Sequence, residues 1–399
     1  METAASGASR PMPATADTQP KGTSRLLFVD NIRVYLTILV LLHHLMITYA
    51  GTGSWYYTEG RQDFVTKALG AWFCATDQAY FMGLFLLISA YFVPGSYDRK
   101  GAGRFLKDRL MRLGIPLAVY SWVINPLFVY VGLVLSQDLR TPLWGFFPGE
   151  YFKTEPLIGA GPLWFVEVLL IFSLVYMLWR LLARSRPANP AVETRFPGNG
   201  SIALFALLLG VAGFLVRLVF VMDAYTFKPL NLQFPFFAQY IALFVVGLIA
   251  YRRNWLLGLP DKTGRLWLGI AVLLILLWPL MIVAVGAITD DVPLKGGWHW
   301  QSLVYALWES FLCISMCIGL IYAFRRHLNR RGKIAGFLVP NAYTAYIIHA
   351  PVITTLAFAI RDITLYPLLK WAVVALVAVP LCFGLSNLIR KLPYTDRVL

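Results

Sequence analysis

Ten apolar stretches of about twenty residues recur along this chain, and they constrain its fold more than any other feature. The hydrocarbon core of a bilayer is about 30 Å thick and needs roughly 20 apolar residues to be crossed by a helix. Inside lipid, a helix satisfies its own backbone hydrogen bonds. The pattern therefore predicts an all-α fold, a polytopic membrane bundle of about ten transmembrane helices. The stretches lie near residues 30–50, 72–93, 113–135, 163–182, 201–222, 236–251, 266–289, 300–324, 336–358 and 366–389.

Composition agrees with this class and excludes a soluble domain. Hydrophobic residues make up 58% of the chain and charged residues 14%, so polar side chains are too few to cover a soluble surface. Residues 1–24 are polar and proline-rich without an apolar signal segment, so we expect a disordered cytoplasmic tail that is not cleaved. Residues 25–392 are expected to form one membrane domain, followed by a short cytoplasmic tail at 393–399.

Loop charge predicts the orientation of the bundle in the membrane. Of the 35 Lys and Arg residues, 25 fall on one side of the predicted spans and seven on the other. Because Lys and Arg resist translocation, the richer side is expected to be cytoplasmic, with both termini there. The net charge of +15 then reflects topology and attraction to anionic lipid, and it does not require nucleic acid as a partner.

The first span carries ionisable groups where they are costly. Its sequence, VDNIRVYLTILVLLHHLMITYA, holds Arg33 and the pair His43 and His44. A helix turns about 100° and rises about 1.5 Å per residue, so Arg33 and His44 share a face and lie about 16 Å apart. Asp30, one turn before Arg33, lies close to that stripe and could hold the guanidinium. His43 lies about 80° from Arg33, and helical phase alone makes it the weaker candidate.

Two interpretations of this stripe stay open on sequence alone. In the first, Arg33 snorkels to the interface and His44 forms a hydrogen bond between helices. In the second, the stripe faces a cavity, because an intramembrane charge is otherwise expensive. His44 then suits a general base, since imidazole exchanges a proton near neutral pH.

A cluster of cations lies between the second and third spans. Arg109 and Arg112 are three residues apart and are expected to share a helix face, with Arg104 nearby. Such a cluster fits the positive-inside rule or contact with lipid headgroups. It equally fits a site for a phosphorylated cytosolic donor, because guanidinium groups match phosphate oxygens two at a time.

Further polar residues interrupt the apolar stretches. Glu167 and Glu309 could pair with Arg217 inside the bundle, and His349 suits a structural hydrogen bond as well as a role in a site. Trp164 fits packing or an acceptor platform. The four cysteines all lie in apolar runs without zinc-ligand spacing, so we expect neither a disulfide nor a metal site. The other interrupting residue is Asp77.

Taken together, these motifs resemble the acyltransferase-3 family, the bacterial integral membrane O-acyltransferases, including the branch that decorates periplasmic glucans. The resemblance runs from about residue 25 to 392. Ala90 stands where the family often has Gly, and we expect no appended hydrolase-like domain. The segments on which the resemblance is based are, in chain order, RLLFVDNIRVYLTILVLLHH, FMGLFLLISAYFVPGSYDRKG, RLMRLGIP, GPLWFVE and AYIIHAP.

The resemblance implies an enzyme of the bacterial inner (plasma) membrane that moves an acetyl- or succinyl-type group from cytosolic acyl-CoA to a hydroxyl. The acceptor would be an extracytoplasmic carbohydrate or glycolipid. Acyl-CoA would be a co-substrate, with no tightly bound cofactor. The family's Arg-x10-His motif maps onto Arg33 and His44, and its Arg-x-x-Arg motif onto Arg109 and Arg112.

The expected site follows from that mapping. Arg109 and Arg112, with Arg104, would bind the CoA phosphates. Arg33, held by Asp30, would steady the donor, and His44 would act as base at the acyl end. The acceptor would contact residues in the fourth and ninth spans: Trp164, Glu167 and His349.

Several alternatives stay open. The main one is a secondary transporter or exporter with an intramembrane Arg, His and Glu pathway, and another is a catalytically silent scaffold. The acyl chain, the acceptor, a covalent acyl-His intermediate and the oligomeric state are also left open.

Overall fold

The computed structural model confirms an all-helical bundle. It describes residues 26–60, 62–137, 141–154, 159–183, 195–223, 226–227, 230–287, 292–393, 395 and 398–399. Within these ranges, ten helical segments are long and apolar enough to cross a membrane. The only extended pairing described there is an isolated antiparallel bridge between Phe227 and Leu232. The predicted N-terminal tail, 1–24, lies outside the described residues.

The first half of the chain forms three simple spans and one composite span. Two short π-helical segments, Leu110–Gly114 and Tyr120–Ile124, join three helices into a continuous third span, Val93–Val134. The helices are α1 (Leu27–Ala50), α2 (Phe64–Tyr91), α3 (Val93–Arg109), α4 (Ile115–Val119), α5 (Asn125–Gln137), α6 (Leu143–Gly145), α7 (Tyr151–Thr154) and α8 (Trp164–Leu182).

The second half forms six more spans and one short helix, α11, in a connection. The helices are α9 (Asn199–Val219), α10 (Phe237–Arg252), α11 (Trp255–Gly258), α12 (Asp261–Ala284), α13 (Trp300–His327), α14 (Lys333–Ala359) and α15 (Pro367–Ile389).

Successive spans run in opposite directions, which gives the bundle two chemically different ends. At the end where α1 begins, Asn31 donates hydrogen bonds to the α13–α14 connection, and Asp98 pairs with Arg180 and Arg252. We call this the basic end. At the end where α1 finishes, the backbone N–H of Gly297 bonds the carbonyl of Arg217. We call that the cavity end.

Helices α1 and α2 form the centre of the bundle. The apolar window of α1 is 72% buried and that of α2 is 67% buried, against 11% for α12. Helix α1 packs against α2, α13, α14 and α15. Ala90 on α2 faces Gly247 on α10, and the missing side chain at Gly247 leaves room for this alanine methyl group. The two helices with the most polar interruptions are therefore enclosed by protein.

Prolines inside the spans leave carbonyl groups that neighbouring helices satisfy. Pro116 has no N–H for the carbonyl of Arg112, and the hydroxyl of Tyr343 donates to that carbonyl at 2.6 Å. Pro279 likewise frees the carbonyl of Ile275, which accepts from the indole N–H of Trp72 at 2.9 Å. These side chains tie separate helices together.

Candidate active site

A cavity of about 1040 Å³ occupies the cavity end of the bundle. Its walls come from the second half of α1, the middle of α2 and the connections that join the spans at this end, with further residues from α8, α10, α12, α13 and α14. A volume of this size is at the upper limit of ordinary small-molecule pockets. The polar and aromatic residues of its lining include His43, His44, Trp55, Tyr56, Gln78, Asn125, Trp164, Asp223, Asn231, Gln233, Tyr240, Lys295 and Tyr346.

His44 lies in this lining, between aromatic neighbours. Its ring stacks on Trp55, with 3.8 Å between ring centroids and 15° between planes. The ring of His349 stacks nearby at 5.2 Å. Nδ1 of His44 is buried and has no hydrogen-bond partner among the described residues. Nε2 is thus the nitrogen left for a ligand in the cavity.

His349 lies behind His44, and its hydrogen bond fixes a tautomer. Nδ1 of His349 is 2.5 Å from the carbonyl oxygen of Tyr346, an acceptor, so Nδ1 carries the proton. Nε2 of His349 is then unprotonated in the neutral ring, and it is buried without a partner in the described chain. His349 supports the wall of the site through its ring.

His43 also lines the cavity, and it has a carboxylate beside it. Its Nδ1 lies 3.6 Å from Oδ2 of Asp77 on α2, and both side chains are almost fully buried. From the helical phase of α1 alone, His43 is predicted to lie outside the stripe that Arg33 and His44 share. The cavity wraps around α1 far enough to include both imidazoles, a feature that the phase of one helix does not reveal.

An amide and several phenols form another wall, which sequence reasoning missed. The hydroxyl of Tyr56 donates to Oδ1 of Asn125 at 2.6 Å, and Nδ2 of Asn125 donates to the hydroxyl of Tyr151 at 2.6 Å. Gly161 has a φ of 47° and packs against the Tyr56 hydroxyl, where a side chain would collide. The Gly of the GPLWFVE motif is therefore required by this wall.

Trp164 was expected at the acceptor site, and it lies in the cavity lining. Its ring stacks on Tyr240, with centroids 5.3 Å apart. Glu167, one turn further along α8, is buried, and neither carboxylate oxygen has a hydrogen-bond partner in the described ranges. Glu167 is not part of the lining of this cavity.

A buried ion pair holds the connection that carries Trp55 and Tyr56. Nζ of Lys370 on α15 is 1% exposed and bonds Oε1 of Glu59. The N–H of Glu59 bonds the carbonyl of Thr48, which fixes the connection to the end of α1. Asp63 then caps α2, and the hydrogen bonds from Thr66 hold the pKa of the Asp63 carboxyl below its usual range.

Glu309 and Arg217 pair with each other away from the imidazoles. Nη2 of Arg217 is 2.5 Å from Oε2 of Glu309, and both side chains are buried. They border a separate small cavity of about 10 Å³, enough for roughly one water molecule. The pairing expected for Arg217 thus involves Glu309.

The expected donor residues lie at the basic end. Nη1 of Arg33 is 3.5 Å from Oδ1 of Asp30, and its guanidinium lies over the ring of Phe92 at 4.7 Å. The guanidinium of Arg109 lies over Phe105 at 4.9 Å. The side chains of Arg104 and Arg112 are exposed. A large phosphorylated ligand would meet these cations from outside the bundle.

The large cavity does not extend to these arginines. Along α1 its described lining ends at Val40, and it includes none of Arg33, Arg104, Arg109 or Arg112. Between the two regions, the hydroxyls of Tyr35 and Tyr80 bond each other at 2.6 Å. The stripe of Arg33 and His44 therefore does not face one continuous cavity, because side chains on α1 and α2 pack between these two residues.

Comparison with known proteins adds independent information. The acyltransferase-3 model, described as an acyltransferase domain, matches residues 26–387. The chain is 26% identical over 243 residues to a glucans biosynthesis protein C of Salmonella heidelberg, and 25% identical to that of Salmonella typhimurium. Each alignment covers 57% of this chain and 58% of the relative, so the chain spans less than two thirds of those proteins. No solved structure matches.

Proposed function

This chain belongs to the acyltransferase-3 family, and from this premise we propose that it is a multi-pass membrane enzyme that transfers acyl groups. The donor is acyl-CoA carrying an acetyl- or succinyl-type group. The acceptor is a hydroxyl of an extracytoplasmic carbohydrate or glycolipid. The basic end faces the cytoplasm of a bacterium, so both tails, 1–24 and 393–399, lie there. The membrane is the bacterial inner membrane.

The observation that carries this proposal is the large cavity with His44 in its wall. A chamber with imidazole nitrogens, aromatic faces and side-chain amides can hold a polyhydroxylated molecule and take a proton from it. Trp55 and Trp164 offer flat apolar faces, whereas Asn231 and Gln233 offer hydrogen bonds to hydroxyl groups. The name of the relatives in Salmonella points to a glucan as the first acceptor to test.

The donor binds at the opposite end. Arg109, Arg112 and Arg104 receive the CoA phosphates, because guanidinium groups bond phosphate oxygens in pairs. Arg33 and Asp30 lie where the pantetheine arm enters the bundle. Helix α1 separates Arg33 from His44 by about 16 Å, which is of the order of the length of that arm. The arm reaches the cavity by displacing the packed layer at Tyr35 and Tyr80.

The chemistry proposed for the cavity is acyl transfer from a thioester to an alcohol. His44 takes the proton of the acceptor hydroxyl as its oxygen attacks the thioester carbonyl carbon. A backbone N–H in the cavity wall stabilises the oxygen that gains negative charge. Trp55 keeps the imidazole in place by stacking. Trp164 contacts the acceptor, and His349 supports this site from behind the ring of His44.

The test is transfer by purified protein in nanodiscs, with ¹⁴C-acetyl-CoA or succinyl-CoA as donor. The acceptor is the periplasmic glycan fraction of a host that lacks the gene, and product is read as an added acyl mass on the glycan. We expect wild-type protein to acylate this fraction. Flux of either reactant across proteoliposomes without any acylated product would replace the enzyme proposal by the transporter.

A further inference from the structure

Two imidazoles line the cavity, although removal of the single proton of the acceptor hydroxyl requires only one imidazole. His43 and His44 are consecutive, and their rings meet edge to face with 5.6 Å between centroids. Both belong to the described lining of the large cavity.

The polar surroundings of the two rings differ. His44 stacks on the indole of Trp55 and on the imidazole of His349. His43 has Phe81 at 5.0 Å on one side and Oδ2 of Asp77 at 3.6 Å from its Nδ1. That oxygen and that nitrogen have no closer polar partner in the part of the chain described. An adjacent carboxylate orients an imidazole and stabilises its protonated form.

Hydrogen bonds of catalytic groups are often long before the substrate arrives. The 3.6 Å between His43 and Asp77 is slightly beyond hydrogen-bond length, and a small ring rotation would close it. With Nδ1 towards the carboxylate, Nε2 of His43 is the nitrogen left for a molecule in the cavity. Asp77 is therefore a positioning residue, and His43 is the group that meets the substrate.

We propose that His43, held by Asp77, is a second catalytic residue of this cavity, the acid that protonates the sulfur atom leaving from acyl-CoA. The inference rests on the proposed donor and on His44 as base. It assigns separate tasks to the adjacent imidazoles: His44 faces the hydroxyl that attacks, and His43 faces the thiolate that departs.

His44 starts neutral and takes the hydroxyl proton while the new C–O bond forms. The C–S bond breaks with its electron pair on sulfur, and the imidazolium of His43 gives its proton to that sulfur. The free thiol of CoA and the ester leave. The proton on His44 then moves to His43 across the adjoining rings, which restores both imidazoles, so the hydroxyl proton ends on the thiol.

The test compares two donors that differ in how much the leaving group needs an acid. Acetyl-CoA releases an alkyl thiolate that needs a proton, whereas S-(4-nitrophenyl) thioacetate releases a stable thiolate. For wild type, His43→Gln, Asp77→Asn and His44→Gln, kcat/KM is measured with each donor and the glycan fraction that wild type acylates. Size-exclusion profiles and Tm confirm folding of each variant.

We expect His43→Gln to slow transfer from acetyl-CoA about 100-fold, within the usual range of acid catalysis, and transfer from the activated thioester less than about five-fold. His44→Gln is expected to slow both by about 100-fold. Free imidazole should restore part of the acetyl-CoA activity of His43→Ala, because the cavity has room for it. A purely structural histidine would show neither donor dependence nor rescue.

The proposal is overturned if His43→Gln keeps the wild-type rate with acetyl-CoA, or if it loses activity equally with both donors. Asp77→Asn should show the same donor dependence more weakly, and it carries the test if the histidine variant does not fold. A wild-type protein that is inactive with every acyl-CoA would instead refute the proposed function.

Discussion

The cavity end and the basic end of this bundle treat ionisable residues in opposite ways. At the cavity end, His43, His44 and Lys370 are enclosed by aromatic rings and by side chains from several helices. At the basic end, Arg104 and Arg112 are exposed, and Arg33 keeps about a third of its side chain in contact with solvent. Exposed guanidinium groups suit recognition of a charged ligand, whereas enclosed imidazoles suit proton transfer away from bulk water.

One helix links the two ends. Arg33 and His44 both belong to α1, the most buried span, so their separation is set by helix geometry. The layer between them is closed in this structure at Tyr35 and Tyr80. Under the proposed function, binding of the donor charge and acyl chemistry would occur in separate compartments, joined only when the layer opens.

The strongest test of the proposed division between the two ends is to remove the imidazole of His44 at the cavity end. We expect His44→Ala to lower kcat for acyl transfer by 10²- to 10⁴-fold, since it removes a general base. Binding of CoA, measured by calorimetry in nanodiscs, should stay unchanged. The matched control is His327→Ala, an exposed imidazole at the basic end, which should transfer normally. Normal turnover by His44→Ala would remove this residue from the mechanism.

The second largest effect is expected on stability at the cavity end. Glu59→Gln leaves the buried ammonium of Lys370 without its carboxylate, and loss of one partner of such a pair costs about 3 kcal/mol. The thermal unfolding midpoint in detergent should fall by several degrees. In the control, Asp223→Asn, the ion pair with Lys295 is exposed, so the change should stay below about 1 kcal/mol. Equal unfolding midpoints for the two variants would show that the ion pair of Glu59 and Lys370 does not stabilise this end of the bundle.

At the basic end, the predicted effect is on binding. Arg109→Ala combined with Arg112→Ala should raise KM for acyl-CoA about ten-fold or more, because charge-assisted hydrogen bonds contribute about 1.5–3 kcal/mol each. KM for the glycan should not change. Arg330→Ala with Arg331→Ala removes the same charge from another exposed loop and serves as control. Unchanged CoA binding would assign the cluster to topology alone.

The smallest effect concerns how the basic end is anchored. Tyr343→Phe removes the donor to the carbonyl of Arg112 and is expected to cost about 1 kcal/mol of stability. In a Pro116→Ala background the new backbone N–H can bond a carbonyl of the preceding turn, so the same change should cost less. A double-mutant cycle by chemical denaturation measures the difference. Strict additivity would show that the hydroxyl is not compensating for the proline.

Some predictions from the sequence are confirmed and others stay predictions. The all-α class, the ten helices of the described ranges that are long and apolar enough to cross a membrane, and the family are confirmed, whereas the acyltransferase activity stays a prediction. The cytoplasmic orientation, the acyl-CoA donor and the roles of Arg33, His44 and Arg109 stay predictions. The distribution of Lys and Arg predicts which loops stay on the cytoplasmic side of a membrane, so it concerns orientation and not the packing of the helices.

The sequence alone determined the features that depend on neighbours along the chain. Span number follows from the length of apolar runs, and the shared face of Arg33 and His44 follows from the period of one helix. Tertiary structure alone decided which distant residues meet: Asp77 beside His43, Trp55 on His44, Lys370 against Glu59. It also decided that packed side chains close the layer below the cavity. Periodicity gives the direction of a side chain on its own helix, but its partner depends on how other helices pack against that face.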